Sequence, residues 1–302
     1  MGTEKLVFRI GSALTLAAIG VQARADELVG QPTPGAIDFQ PAAAPLKREV
    51  IFFHNDVLLP IVTAIVLLVL GLLIWCVVRY NKRANPTPAR WSHNTVIEVL
   101  WTGLPVLVLM FIAIFSFKLL FRYHDMPQPY MTVKATGYQW YWGYAYPDQK
   151  VDEVLSTITP ENKTTPQLYR LAADNPMVVP VNQVVRVLVT GADVIHSFAV
   201  PAFGVKMDAI PGRVNQTWFK AEKVGIYYGQ CSELCGINHA FMPIQVNVVS
   251  QADFDAWVAA KQPKPAAAPP AAPAQPAAQP AAKTAAIKTA VTLAALNPTG
   301  KE

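Results

Sequence analysis

Charge is missing from one stretch of this chain and negative charge from the next, and each gap excludes something. Leu58 to Val78 reads LLPIVTAIVLLVLGLLIWCVV without a charged residue, and at about 1.5 Å per residue such a run crosses the roughly 30 Å core of a bilayer rather than covering a soluble domain. From 79 to 97 there is no acidic residue, so Arg79, Lys82, Arg83 and Arg90 stand unopposed, as in a loop held in the cytoplasm. The exported part lacks a basic excess: 12 acidic against 10 basic residues lie between Asp125 and Lys261. Nucleic acid is excluded as a partner, and a small basic protein is favoured. No Cys-x-x-Cys-His occurs, which argues against a c-type haem attached to this chain. From Gln262 onward there is no aromatic residue, and 8 of the 26 prolines fall there. Residues 262–302 cannot bury a core and read as a disordered Ala/Pro-rich tail, either a passive linker or a processed or partner-binding segment.

What is present is apolar: 52% of the residues are hydrophobic and the mean hydropathy is +0.27. Residues 1–25 carry Lys5 and Arg9 ahead of a modest apolar run that ends in Ala23-Arg24-Ala25, an export signal with its cleavage pattern. The run is too short, and too broken by Gly11, Gly20 and Gln22, to favour a first membrane helix. Residues 26–122 then form an N-terminal segment and a transmembrane hairpin with spans at about 58–78 and 96–120. The basic loop between the spans sets both mature termini outside, the side to which the export signal also sends the N-terminus.

Residues 123–261 change character. Alternation in 184–190 (VVRVLVT) and 244–249 (IQVNVV) marks half-buried strands, and further strand-like runs lie at 130–136, 138–146, 214–219 and 224–228. Short strands with no long helix between them predict a β-sandwich or Greek-key barrel outside the membrane, closed by a helix over 251–260.

Within that domain, GQCSELCGINHAFMP (229–243) gathers Cys231, Glu233, Cys235, His239 and Met242, and His196 of DVIHSF arrives from the end of the strand upstream. In an oxidising compartment a lone cysteine pair is first expected to form a disulfide, but so many soft donors beside it point to a metal. Zinc would be satisfied by Cys₂His₂ and gain little from a thioether, whereas copper takes methionine as a weak axial ligand. One copper leaves Cys231 surplus; two thiolates can bridge two coppers, with His196 and His239 as imidazoles and Met242 and a backbone carbonyl near Glu233 as weak ligands. Such a centre leaves no open position for substrate, so its work is electron transfer.

These residues, with WTGLPVLVL, GYQWYWGYAYP, DVIHSFAVP, GVKMDAIPGRVNQTWF and GIYYGQCSELCGINHAFMPI, resemble subunit II of the bacterial aa3-type cytochrome c oxidases over about residues 50–260. The resemblance implies a two-helix transmembrane hairpin followed by an all-β cupredoxin-like Greek-key barrel in the periplasm, anchored in the bacterial inner membrane. It implies a dinuclear CuA centre that accepts electrons from cytochrome c and passes them to haem in subunit I, where oxygen reduction is coupled to proton pumping; subunit III is a further partner. The implied copper ligands are His196, Cys231, Glu233 through its main-chain oxygen, Cys235, His239 and Met242. The Glu233 side chain is implied to bind magnesium at the subunit I boundary, with Asp208 nearby.

Of the aromatic run, Trp140 is implied as the residue above the copper site where electrons arrive, and Tyr138, Tyr141, Trp142, Tyr144 and Tyr146 read as packing. Asp193 and Asp174 resemble docking acids for cytochrome c, although Asp174 in AADNP reads equally as a turn residue. Where the family often carries a further acid, this chain has Ala145. Glu98, at the inner start of the second span with His93 near it, matches the mouth of a proton-uptake channel; snorkelling at the interface is the other reading. His54 and His124 fall near the outer membrane surface, and Cys76 reads as a small apolar residue. Two alternatives remain: a quinol oxidase subunit, against which the cysteines and His239 argue, and a membrane-anchored copper-delivery protein, which would leave Glu98, Glu233 and the aromatic run without a purpose.

Overall fold

The computed structural model describes residues 30–262; the expected export signal and the tail beyond Gln262 lie outside the described residues. A continuous helix runs from Pro45 to Arg79. Its parts are α1 (Pro45–Phe52), a π-helical segment (Phe53–Leu58) and α2 (Leu59–Arg79), and it is antiparallel to α3 (Thr95–His124). Both long helices are apolar enough to cross a membrane, and they expose their side chains as lipid-facing helices do. The Asn94 side chain caps α3, accepting from the N–H groups of Val96 and Ile97. Pro105 sits inside α3 without ending it.

The first helix starts earlier than the expected span because its first turn packs against protein: Leu46 and Lys47 are buried. Several bonds seat the hairpin on the β domain. Ala43 N–H donates to the Ala202 carbonyl at 2.9 Å, and Glu222 N–H to that of Ala43 at 3.0 Å. The Tyr123 hydroxyl donates to the Gly204 carbonyl at 2.6 Å, Trp218 Nε1 to the Tyr123 carbonyl at 3.2 Å, and Arg48 pairs with Glu222. Gly204 has φ +75°, and a Cβ there would stand 3.1 Å from Lys47 Cα and 3.2 Å from the Tyr123 hydroxyl. The segment before the first span therefore lies on the same side of the membrane as the β domain.

That domain is a sandwich of two five-stranded sheets. The first contains β1 (Met131–Tyr138), β2 (Tyr141–Tyr146), β3 (Val151–Ser156), β5 (Val184–Gly191) and β8 (Asn215–Lys220), ordered β3-β2-β1-β5-β8. The second contains β4 (Met177–Pro180), β6 (His196–Val200), β7 (Val205–Ala209), β9 (Gly225–Cys231) and β10 (Pro243–Val249), ordered β4-β10-β9-β6-β7. β1 with β5 and β4 with β10 pair in parallel; the other pairs are antiparallel. Alternation on β5 buries Val185, Val187 and Val189 and leaves the residues between them half exposed, as its sequence predicts. They meet Trp142, Tyr144, Phe198, Tyr227, Ile244 and Val246 in one core. Helix α4 (Gln251–Lys261) closes the domain, with the Ser250 side chain as N-cap and Trp257 edge-on to Tyr146 at 4.8 Å.

His196 does not lie at the end of the β5 strand. It opens β6 in the opposite sheet, because the chain turns at Gly191–Ile195 and crosses the core. Gly191 permits the crossing: a Cβ there would fall 2.6 Å from the Val194 carbonyl oxygen and 2.7 Å from that of Ala209. The run 138–146 is likewise two strands, broken at Gln139–Trp140.

Gly229, where β9 passes β6, offers a test. A Cβ there would stand 2.0 Å from the Ala199 carbonyl oxygen, so Gly229→Ala must prise the two strands apart. The expected loss is about 1–3 kcal/mol, the usual cost of overpacking, read as an earlier urea midpoint with an unchanged slope.

Candidate metal centre

Three segments build the centre. β9 ends on Cys231, the loop through Cys235 leads to a short turn at His239–Phe241, and β10 begins directly after Met242. β6, beside β9, supplies His196 from the core side. The loop is drawn tight by backbone bonds: Ser232 N–H to the Ser197 carbonyl at 3.0 Å, His239 N–H to that of Gly236 at 3.1 Å, and Phe241 N–H to that of Asn238 at 2.8 Å.

The two cysteine sulfurs lie 3.8 Å apart and both thiols are free; a disulfide needs about 2.05 Å. Cys231 Sγ is 3.9 Å from His196 Nδ1 and 3.3 Å from the Glu233 carbonyl oxygen. Cys235 Sγ is 3.5 Å from His239 Nδ1 and 3.5 Å from Met242 Sδ. The donor atoms of His196, Cys231 and Cys235 all fall within 4.8 Å of one another. His196, Cys231, Cys235 and Met242 are buried, while His239 is half-buried.

A carboxylate sets the orientation of His196. Nε2 is 2.9 Å from Asp193 Oδ1, so Nδ1 is the nitrogen left to face the sulfurs. Asp193 is itself fixed by the N–H groups of Val194 and Gln139, at 2.7 Å each. Its burial opposes ionisation, but the bonds from His196 and these two N–H groups outweigh it and hold the carboxyl below its ordinary range. Burial works against the Cys231 thiolate too, yet His196, the Glu233 and Ser197 backbone and Cys235 bring its pKa down. Burial and the neighbouring Cys231 charge push Cys235 up. In the metal-free chain one sulfur ionises well before the other.

The donors suit copper. Two sulfurs, two imidazole nitrogens, a thioether and a carbonyl form a soft to borderline set; a tetrahedral zinc site would leave the thioether and the carbonyl idle. Magnesium and calcium take oxygen ligands.

Trp140 lies half-buried beside this cluster. Its Nε1–H donates to the Cys235 carbonyl at 3.2 Å, and its ring edge occupies the space over Gly236, where a Cβ would come within 2.9 Å of Cζ2. Gln139 escaped the sequence reading, yet its side-chain amide donates to the same carbonyl at 3.0 Å. Gly137 lies against the His196 ring, 2.9 Å from where its Cβ would be. The glycines of TGYQW and LCGIN were visible in the sequence; the close approaches that require them were not.

Other candidates lie apart from the cluster. Asp174 accepts from the Thr157 and Asn175 N–H groups at 2.7 Å each and from the Thr157 hydroxyl at 2.9 Å, the bonding of a turn residue. Asp208 on β7 accepts from the Ser197 hydroxyl at 2.8 Å and pairs with Lys206 at 3.1 Å, one residue along β6 from His196. The Glu233 side chain is exposed on the loop. Glu98 lies in the first turn of α3 at the far end of the hairpin, with His93 just before that helix, and Cys76 is exposed on α2. Tyr138 stacks on Tyr141 at 4.7 Å and its hydroxyl donates to Glu153 at 2.9 Å, so an acid from β3 flanks the aromatic run that carries Ala145.

Residues 131–249 match the family described as cytochrome c oxidase subunit II, periplasmic domain, and residues 32–119 its transmembrane domain. The chain is 52% identical over 232 residues to the probable cytochrome c oxidase subunit 2 of Rickettsia bellii, covering 76% of this chain and 86% of that one. It is 44% identical over 263 residues to cytochrome c oxidase subunit 2 of Cereibacter sphaeroides, covering 81% and 86%. Among solved structures, the crystal structure of the periplasmic domain of subunit II of cytochrome oxidase of Bradyrhizobium japonicum is 59% identical, with a TM-score of 0.43, over 45% of this chain and 96% of that one.

The bonds of Asp193 generate a prediction. Its carboxyl is held below the usual carboxylate range when folded, so its contribution to stability is complete above the unfolded value of about 3.9 and is lost as pH falls through the folded value. Asp193→Ala should lower metal-free stability by about 1–3 kcal/mol near neutral pH, the cost of leaving the buried His196 nitrogen unpaired. The gap between variant and wild type should shrink with acidification below about pH 4, followed by denaturant titration across pH.

Proposed function

Since the chain belongs to the cytochrome c oxidase subunit II family, a component of the haem-copper oxidases, we propose that it is the subunit that receives electrons from cytochrome c and passes them toward haem in subunit I. The observation that carries this reading is the convergence of two unbonded cysteine sulfurs, two imidazole nitrogens, a thioether and a carbonyl on one taut loop. Two copper ions held there by Cys231, Cys235, His196, His239, Met242 and the Glu233 carbonyl would supply one-electron storage with little rearrangement on reduction.

The chain's own residues do the rest. Asp193 turns His196 so that Nδ1 faces the sulfurs, and the buried core excludes water from them. The Trp140 indole is joined by its N–H to the Cys235 carbonyl, a short covalent and hydrogen-bonded route from the surface to a ligand. Asp193, and Asp174 where its turn leaves it exposed, would contribute negative charge that steers the basic rim of cytochrome c.

Glu233 can serve both sides of the centre, its carbonyl facing Cys231 and its exposed carboxylate taking magnesium at the subunit I boundary, with Asp208 on the same polar edge. Glu98, with His93 nearby, would open a proton-uptake path on the cytoplasmic side. The domain and the N-terminus of the mature chain would stand in the periplasm of the bacterial inner membrane, and oxygen chemistry would lie in subunit I, with subunit III completing the partners.

The full chain, loaded with copper in detergent, should bind two coppers that share one unpaired electron, seen by paramagnetic resonance as more and narrower hyperfine lines than a lone copper gives. Cys231→Ser should abolish that spectrum; a normal dinuclear spectrum in this variant would overturn the bridging role. Met242→Leu should keep both coppers and shift their potential.

Trp140→Ala should leave the copper spectrum nearly unchanged. It should also slow reduction by cytochrome c about tenfold or more, a barrier increase of about 1.4 kcal/mol. Stopped-flow reduction at limiting cytochrome checks this, and an unchanged rate would place the arrival of electrons elsewhere.

A further inference from the structure

A second candidate site lies far from the metal loop, on the membrane hairpin. A cavity of about 560 Å³ opens between the first long helix and α3, lined by Glu49, Phe52, Phe53, Phe115, Lys118 and Arg122. Phe52 is 53% exposed, so the cavity is open at its side. The helix is locally π-helical over Phe53–Leu58, where it borders the cavity; such widened turns cluster at functional positions.

The cavity is polar at one end and apolar at the other. Its outer end holds the Arg122–Glu49 pair, in which Arg122 Nη2 and Nε donate to Glu49 Oε1 at 2.7 and 3.2 Å. Its inner end holds the rings of Phe53 and Phe115. Between them stands Lys118, one helical turn from Arg122 on the same face of α3. Glu49 already neutralises Arg122, whereas Lys118 has no ion-pair partner among the described residues.

Depth points the same way. Phe53 precedes the charge-free run that begins at Leu58 by five residues, or about 7 Å along the helix. A bilayer of about 30 Å core and 40–45 Å overall thickness has its headgroup layer at this distance from the core edge. Lys118 lies two residues inside the end of the second span at Leu120, and its long flexible stem carries the unpaired ammonium out to phosphate level, with aromatic walls leading inward toward the acyl chains.

We propose that this cavity is a binding site for one glycerophospholipid of the outer leaflet, with its phosphodiester on Lys118 and the upper part of an acyl chain between Phe53 and Phe115. The Arg122–Glu49 pair forms the outer wall and ties the two helices together there. The site rests on the two-span membrane architecture and not on the metal centre.

The test is native mass spectrometry of the purified oxidase complex carrying this chain, released from vesicles of mixed phosphatidylethanolamine and phosphatidylglycerol. Wild type should retain one phospholipid more than Lys118→Gln. The apparent affinity should fall about fivefold, the factor equivalent to ~1 kcal/mol for one basic residue at a membrane surface, and Lys118→Arg should restore it. Equal retention in wild type and Lys118→Gln, failure of Lys118→Arg to restore binding, or displacement of the lipid by inorganic phosphate alone would overturn the proposal. Copper spectra should be the same in all three proteins, which separates this result from any fault in the metal centre.

Discussion

Keeping two buried cysteine sulfurs 3.8 Å apart without letting them join is the constraint around which the domain is organised. A loop four residues long from thiol to thiol could close into a disulfide if it were slack. It is not slack: Ser232 is bonded to β6, His239 to Gly236, and the chain on either side is locked into β9 and β10. The second sheet thus acts as a frame that fixes both ends of the loop. The ligand that comes from outside the loop, His196, is placed by the same sheet, because β6 is the neighbour of β9. Under the proposed electron-transfer function such a frame would limit rearrangement, since any slack in it would become reorganisation during transfer.

The same economy appears at the surface of the site. The Cys235 carbonyl, at the middle of the ligand loop, accepts from both Gln139 and Trp140. Asp193 receives the Gln139 backbone N–H while it orients His196. The turn between β1 and β2, in one sheet, is therefore bonded to the ligand loop of the other sheet and to the residue that aims the buried imidazole. The aromatic surface and the candidate metal ligands form one hydrogen-bonded unit, and Asp193 belongs to its interior as much as to its rim.

How much of this was legible in the sequence follows from the reach of each interaction. The donor set was legible because side-chain chemistry is local: Cys231, Glu233, Cys235, His239 and Met242 lie within a dozen positions, and their softness needs no fold to be recognised. β5 was legible because one of its faces is solvated, so VVRVLVT alternates; β6 was not, because HSFAV is buried on nearly every residue and has no period to show. β10 falls between these cases, since Gln245 on its outer face is covered by the long loop between β3 and β4, accepting from Ala173 N–H at 2.9 Å and donating to Asn247 at 3.0 Å. The hydrophobic run marked the first span but not the helix that precedes it, because PLKREVIF is held by contacts with Ala202 and Gly204 far along the chain. Asp193 was singled out for its resemblance to a docking acid, while its bond to the imidazole required the turn at Gly191–Ile195 to be seen.

The β domain is not tethered to the membrane by a flexible linker: α3 runs to His124 and β1 begins at Met131, and Tyr123, Trp218, Arg48 and Glu222 bind the helix ends to the domain on both sides of that short connection. Electron transfer weakens steeply with distance, so under the proposed function a centre handing electrons to a partner within the membrane would gain from a fixed height above it. The buried start of the first helix, the end of the second and the edge of the sandwich supply that height through several independent bonds, so that no single exposed ion pair has to carry it. The contacts of Lys47, Arg48 and Tyr123 with Gly204 and Glu222 thus join the membrane anchor directly to the domain that carries the cysteine loop.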